Sequence, residues 1–253
     1  MNRVMIIKPT RLLYAGLLGS PSLRSLGALT LYVACEQPFE IRRSSGARES
    51  GFLATVAPNE PHQICSCDSA ICKVLFEPEC IDILATLGSL PGCLQRPDPR
   101  YLQIRNSLET LLQDSASLDT MTEECLDQAL LGHTLQPRHL DVRIRHAVEL
   151  IRSRPCEHLF AAECARITGL SFSRFIHLFR QQVGMPFRTF CAWKRARTIL
   201  SFVNRPCNLT ELALESGYPD SSHFSHSIRR IYGLRPRDLF AGSRRMTILT
   251  DAA

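Results

Sequence analysis

From residue 141 onward the apolar positions recur at the three-to-four spacing of a buried helical stripe. Val142, Ala147, Val148 and Ile151 predict a first helix over 141–152. A second stripe belongs to a helix from Leu159 to Thr168, with Leu159, Cys164 and Ile167 as its apolar members. Phe175, Leu178 and Phe179 mark a third, and Phe224 and Ile228 a later one. The earlier part of the chain reads differently. Leu29 to Ala34, Phe39 to Arg42, Phe52 to Ala57 and Ile71 to Phe76 are short, β-prone runs between turn clusters, as in a small barrel or sandwich. Residues 79–136 turn helical. Ile81, Ile83, Leu84 and Leu87 form one segment, Tyr101, Ile104, Leu108, Leu111 and Leu112 another, and Met121, Cys125, Leu126, Ala129 and Leu130 a third. The expected fold is α+β, with a mainly β N-terminal barrel, flanking helices, and an all-α C-terminal domain.

The C-terminal pattern occurs twice. At an offset of 49 residues, Ser173 falls on Ser222, Phe175 on Phe224, His177 on His226, Arg180 on Arg229 and Gly184 on Gly233. Upstream the offset is 48, so that Glu163 meets Glu211, Ala165 meets Ala213 and Gly169 meets Gly217. Two copies of one helix-turn-helix unit, with one extra residue in the second turn, account for this. Gly169 and Gly217 supply a left-handed backbone after each leading helix. Ser171 and Asp220 then cap the second helix of each unit. Between the units, Pro186 to Val203 reads as a spacer helix of roughly 27 Å, near the length that sets two recognition helices one DNA turn apart. Trp193 is expected to pack between the units.

Charge sharpens the picture. Residues 141–245 hold 18 Lys/Arg against 8 Asp/Glu, whereas residues 1–140 hold 12 against 15. Only the C-terminal part is therefore suited to a polyanion, and its basic charge is almost all arginine. The chain has 11 cysteines in 253 residues, an odd and dispersed set that speaks for reduced thiols over a disulfide framework. The apolar run at 12–18 is too short to span a membrane, and no targeting segment is read. A cytoplasmic location is expected.

The run from Gly217 through Tyr, Pro, Asp220, Ser, Ser, His223, Phe224, Ser, His226, Ser, Ile, Arg229 and Arg230, continued by Ile, Tyr, Gly233, Leu, Arg and Pro236, resembles the most recognisable segment of the AraC/XylS family of bacterial transcription regulators. The resemblance covers about residues 141 to 240. It implies a double helix-turn-helix DNA-binding domain, and more weakly a cupin-like N-terminal domain that binds a small effector. The chain departs from the family at His226, Ala192 and Ala241, where arginine is common.

The resulting organisation is an effector and dimerisation domain at 1–132, a linker at 133–140 and the DNA-binding domain at 141–245. Base-reading candidates are Ser173, Arg174, Ile176 and His177 in the first unit, and Ser221, Ser222, His223 and His226 in the second. Arg180, Arg229 and Arg230 stand further along and are candidates for phosphate. In the N-terminal half, His62 is a lone histidine, better suited to the core or an effector wall than to a metal. Cys65, Cys67 and Cys72 form a candidate thiol sensor if the next strand brings Cys72 beside the other two; as small buried hydrophobes they would sense nothing. No catalytic residue, metal or cofactor is read. Expected partners are duplex DNA, a small effector, RNA polymerase if the protein activates, and a second copy of the chain. The alternatives are effector-independent or thiol- or metal-responsive regulation and, remotely, a cupin-type enzyme.

Overall fold

The computed structural model describes residues 4–17, 22–66, 70–113, 121–203, 208–243 and 246–250. Its N-terminal half places two sheets over one apolar core. The larger contains β1 (Val4–Ile7), β2 (Arg11–Leu17), β3 (Leu29–Val33), β6 (Leu53–Val56), β8 (Ala70–Phe76), β9 (Cys93–Leu94) and β10 (Thr247–Thr250), in the order β10-β1-β2-β8-β3-β6-β9. The smaller has β4 (Phe39–Arg43) between β5 (Arg48–Gly51) and β7 (His62–Ser66). Phe39, Ile41 and Ile64 from the small sheet meet Leu31, Leu53 and Val74 from the large one, an open, cupin-like arrangement.

Strand β3 is buried along its whole length. It lies mid-sheet, and Tyr101 of α2 (Pro99–Gln113) covers this region, donating to the Ala34 carbonyl at 3.2 Å. The predicted apolar set of α2, with Ile104, Leu108 and Leu111, is buried as its spacing requires. Helix α3 (Glu123–Leu131) is fixed to β2 through a buried bidentate pair, Arg11 to Asp127 at 2.9 and 2.7 Å. Two expectations need correction here. Ile81 is not helical but pairs with Pro137, and α1 (Ile83–Ser89) leaves Leu84 82% exposed, because the helix is short and lies on the surface. Cys125 is likewise exposed, and Leu126 and Leu130 carry the burial of α3.

The C-terminal half is α4 (Val142–Ser153), α5 (Ala161–Ile167), α6 (Phe172–Val183), α7 (Phe187–Ile199), a 3-10 turn (Leu200–Phe202), α8 (Leu209–Glu215), α9 (Ser221–Tyr232) and α10 (Pro236–Ser243). Helices α5 and α6 form the first unit, α8 and α9 the second, and α7 the spacer. Ser171 accepts from the Arg174 amide, and Asp220 from the amides of Ser222 and His223, so both expected caps are present. Gly169, Gly184, Gly217 and Gly233 all have positive φ, between 67° and 84°. The first leading helix is shorter than its apolar pattern predicts. Leu159 precedes it, and Ile167 is 40% exposed at its end.

The core divides partway along the spacer. Phe187 and Phe190, from its first turn, pack with Phe175 and Phe179 and with Ile144, Val148 and Ile151 of α4 in a cluster of their own. Trp193, Ala196 and Ile199 belong instead to the N-terminal core, together with Ala213, Phe224, Ile228 and Tyr232 of the second unit. Trp193 thus packs partly where expected, 6.2 Å from the Tyr232 ring, and partly against the N-terminal domain. Its indole donates to Glu77 at 2.9 Å, and its ring lies on Gly27, where an added Cβ would be 2.2 Å away. Beyond the second unit the chain returns to the N-terminal sheet, and β10 runs parallel to β1 with Val4 opposite Thr247.

Candidate nucleic-acid interface

In each unit the buried stripe of the second helix fixes which side chains face outward. Phe175, Phe179 and Val183 are buried on α6, which leaves Ser173, Arg174 and His177 exposed. Phe224, Ile228 and Ile231 do the same for α9, leaving Ser221, Ser222, His223 and His226 exposed. Arg180, Arg229 and Arg230 are exposed toward the C-terminal half of the same helices. Ile176 differs: it is half-buried against the first unit's cluster, so only part of it faces outward.

The two faces are not chemically equal. Arg174 and His223 occupy equivalent positions. The His223 Nδ1–H donates to Oδ2 of Asp220 at 2.8 Å, the same carboxylate that caps α9. Bonds from the His223 backbone and side chain hold the Asp220 carboxyl below its usual range. The cap therefore orients the ring and leaves Nε2 as its outward polar atom, a pairing that the repeat pattern alone did not reveal.

The N-terminal candidates separate. His62 is fully buried between the two sheets. The Glu60 carbonyl can only accept, so Nδ1 carries the proton at 2.8 Å and Nε2 accepts from the Tyr32 hydroxyl at 2.8 Å. Burial first, and the charges of Arg24 and Arg43 as well, lower its pKa to about 4. With both nitrogens committed, His62 acts as a core residue. The structure does not bring Cys65 and Cys72 together. Cys65 is exposed on β7, whereas Cys72 is buried on β8, in the other sheet, with the Cys35 sulfur at 4.0 Å. Cys67 lies outside the described residues. No group of three or more His, Cys, Asp or Glu among the described residues is placed to hold a metal, and none of their helices is long and apolar enough to cross a membrane.

Sequence reasoning missed the buried ionic cluster behind the second unit. Lys194 of α7 pairs with Glu77 and, at 2.5 Å, with Glu79, while Arg197 pairs with Glu77 at 2.5 Å. Arg197 also donates to the carbonyl oxygens of Lys8 and Arg11, at 2.5 and 3.1 Å. Burial alone would raise the Glu77 carboxyl, but the Lys194 and Arg197 charges outweigh it and hold it below the usual range. The cluster joins the end of β8 to the spacer helix. A Glu-Pro-Glu run after a strand, facing a Lys-Arg-Ala-Arg helix turn, was the only trace of it in the sequence.

Two tandem helix-turn-helix units, each presenting a capped second helix with a polar and basic face, define a double helix-turn-helix DNA-binding domain. A family model described as a helix-turn-helix domain matches residues 164–242. The chain is 29% identical over 121 residues to the arabinose operon regulatory protein of Salmonella typhimurium (strain LT2), covering 45% of this chain and 41% of that protein. It is 33% identical over 72 residues to the invasion protein InvF of Salmonella typhi, covering 28% and 33%. The matches thus span about a third to two-fifths of these relatives' lengths. Over nearly its full length the fold is similar to ToxT from Vibrio cholerae O395, with a TM-score of 0.58, 11% identity, and 92% and 96% of the two chains covered. ToxT with a bound unsaturated fatty acid superposes with a TM-score of 0.53 at 11% identity, covering 92% and 95%. Over its C-terminal part the chain is thus similar to the arabinose operon regulatory protein and to InvF.

Proposed function

We propose that the protein is a sequence-specific, DNA-binding transcription regulator whose N-terminal domain receives a small effector. The observation that carries this reading is the duplicated outward face: Ser173, Arg174 and His177 on α6, and Ser222, His223 and His226 on α9, each with arginine behind it. In this reading the first set reaches base edges in the major groove, with Ile176 and Ser221 at its margins. Arg180, Arg229 and Arg230 hold phosphates. The fatty acid bound by ToxT supports control by a small molecule. Such a protein acts where the chromosome is, in the cytoplasm, and contacts RNA polymerase if it activates. The helices on the N-terminal domain are where a second copy would pair.

A thiol-responsive reading has one observation in its favour, the Cys35–Cys72 approach of 4.0 Å. Against it, the hydrogen bond with Cys35, and burial next, push the Cys72 thiol far up, which disfavours the reactive thiolate.

The test uses the full chain and duplexes selected from a random pool. Footprinting should protect two major-groove segments about 10 base pairs apart. Arg180→Ala and Arg229→Ala should each lower the slope of log affinity against log salt by about 1, with sequence preference unchanged. No selected duplex bound at low salt, by a chain folded on circular dichroism, would sink the proposal.

A further inference from the structure

The turns that lead into the two recognition helices differ in one chemical respect. Ser171 caps α6 with a neutral hydroxyl, whereas Asp220 caps α9 with a carboxylate. The residue three places after each cap lies on the outward face, Arg174 in the first unit and His223 in the second. Arg174 ends in a guanidinium, whose N–H groups can only donate. Its counterpart is prepared for the opposite role.

Oδ1 of Asp220 accepts from the Ser222 and His223 amides, both at 2.8 Å, and Oδ2 stands 2.8 Å from Nδ1 of the His223 ring. The His223 amide first, and its ring next, hold the carboxyl below its ordinary range. An ionised carboxylate can only accept, so Nδ1 carries the ring proton. In a neutral imidazole the second nitrogen then presents a lone pair. The His223 side chain is 70% exposed, so this acceptor, Nε2, is open to a partner in the groove.

Base edges answer to that difference. At position 6 of a purine, adenine has an amino donor and guanine a carbonyl acceptor. At position 4 of a pyrimidine, cytosine has the donor and thymine the acceptor. Arginine fits the carbonyl bases, guanine best, through O6 and N7. An imidazole acceptor fits the amino bases and would set lone pair against lone pair on a carbonyl.

We propose that His223, held in its Nδ1–H tautomer by Asp220, reads the amino group of an adenine or cytosine, whereas Arg174, at the equivalent place in the first unit, reads a guanine. The two units then recognise unlike half-sites in spite of their common register. His223 touches the base, and Asp220 is a positioning residue that acts through it. The base assignment rests on the reading of α6 and α9 as DNA-reading helices. The tautomer does not.

The tautomer is therefore tested without DNA. Nitrogen-15 spectra of the histidine-labelled full chain are recorded at pH 8, where free imidazole is neutral, and His223→Ala identifies the signal. Nδ1 should be protonated and Nε2 bare. Asp220→Ser keeps a good helix cap, the one that Ser171 provides in the first unit, and should return the ring to a mixture of tautomers. A bare Nδ1 in the native chain would overturn the proposal. The second arm takes a duplex selected from a random pool and replaces its bases one at a time, again at pH 8. One position should prefer its amino base to the carbonyl counterpart, A over G or C over T, about tenfold, the worth of one hydrogen bond. His223→Ala should abolish the preference at that position alone. Asp220→Ser should cut it to about twofold while the other positions keep their order of preference, a pattern that unfolding of α9 would not give. Arg174→Ala should abolish a preference for guanine in the other protected segment. A carbonyl base preferred opposite His223, no position sensitive to His223→Ala, or a preference intact in Asp220→Ser overturns the proposal. Binding of no duplex by the native chain refutes the regulator reading and the base assignment with it, while the spectra still decide whether Asp220 sets the tautomer.

Discussion

The two helix-turn-helix units share a motif, a register and a capping scheme, and they are held in the molecule by different means. The first has an apolar cluster of its own. Phe175, Phe179, Phe187 and Phe190 contact one another at centroid distances of 5.3 to 5.7 Å, and α4 closes the cluster. The α4 entry is pinned as well, since the Asp141 amide donates to Gln182 at 2.7 Å. The second unit has Tyr218 and Phe224 at 5.3 Å, but the rest of its core is continuous with the N-terminal sheets. Buried salt bridges, the Trp193–Glu77 bond and the returning strand β10 all lie on that side. Duplication therefore copied a local fold and not its surroundings. The second unit is the one whose state the N-terminal domain can bias, because they share packed atoms.

The largest test of this difference is Glu77→Gln. It leaves Lys194 and Arg197 buried with one full carboxylate fewer. Losing one partner of a buried ion network costs on the order of 4 kcal/mol. The loss should appear in native-state hydrogen exchange at α8, α9 and the β8 region, while α6 keeps its protection. Equal loosening of α6 would mean that the two units form one cooperative body and that the division along α7 has no energetic content.

The second test uses equivalent glycines. Gly169 and Gly217 occupy the same turn, with φ of 67° and 73°. Alanine at either position is strained by about 1–2 kcal/mol. At Gly169 the added Cβ meets nothing within 4 Å, whereas at Gly217 it would stand 1.8 Å from the Cys156 carbonyl oxygen. Gly217→Ala should therefore cost about 2–3 kcal/mol more than Gly169→Ala, the usual cost of overpacking against backbone. Urea midpoints for the two variants measure it. Equal midpoints would show that the turn around Gly217 yields freely.

These results also mark what was legible in the sequence. The units were readable because each is a local object: within each, the cap (Ser171 or Asp220), the positive-φ glycines and the 3.6-residue stripe lie within about thirty residues. The long, half-exposed helix α2 was readable for the same reason. Contacts between distant segments carry no period. Glu77 and Lys194 are joined across 117 positions, and β10 meets β1 across nearly the whole chain. Nothing local distinguishes those residues from a solvated charge or a tail. The Cys65–Cys72 grouping failed on a similar point. Nearness in sequence does not make two strands partners, and β7 and β8 lie in different sheets. Leu84 and Ile167 failed because apolar spacing marks a possible buried face and does not say how far the covering surface extends.

The smallest expected effect concerns acid. In the unfolded chain His62 titrates near 6.5, whereas in the folded protein burial lowers it to about 4. Between those values the unfolded state binds the extra proton, so stability rises with pH across this window and is lost as pH falls from 6.5 toward 4. From pH 7 to pH 5 the loss should be about 2 kcal/mol. His62 is fully buried, so solvent screening does little to reduce it. Carboxylates also titrate over this range, and a His62→Gln chain isolates the histidine contribution by difference. The site of the loss sharpens the comparison between the units. Protonation opposes packing in the N-terminal core, which the second unit shares and the first does not. Lowering the pH from 7 to 5 should thus raise exchange at β7, β3 and α9, leave α6 unaffected, and do so less in His62→Gln. The same acid loss in both chains would place the sensitivity elsewhere. Loss confined to the N-terminal strands, with α9 still protected, would separate the second unit from the core it is packed into.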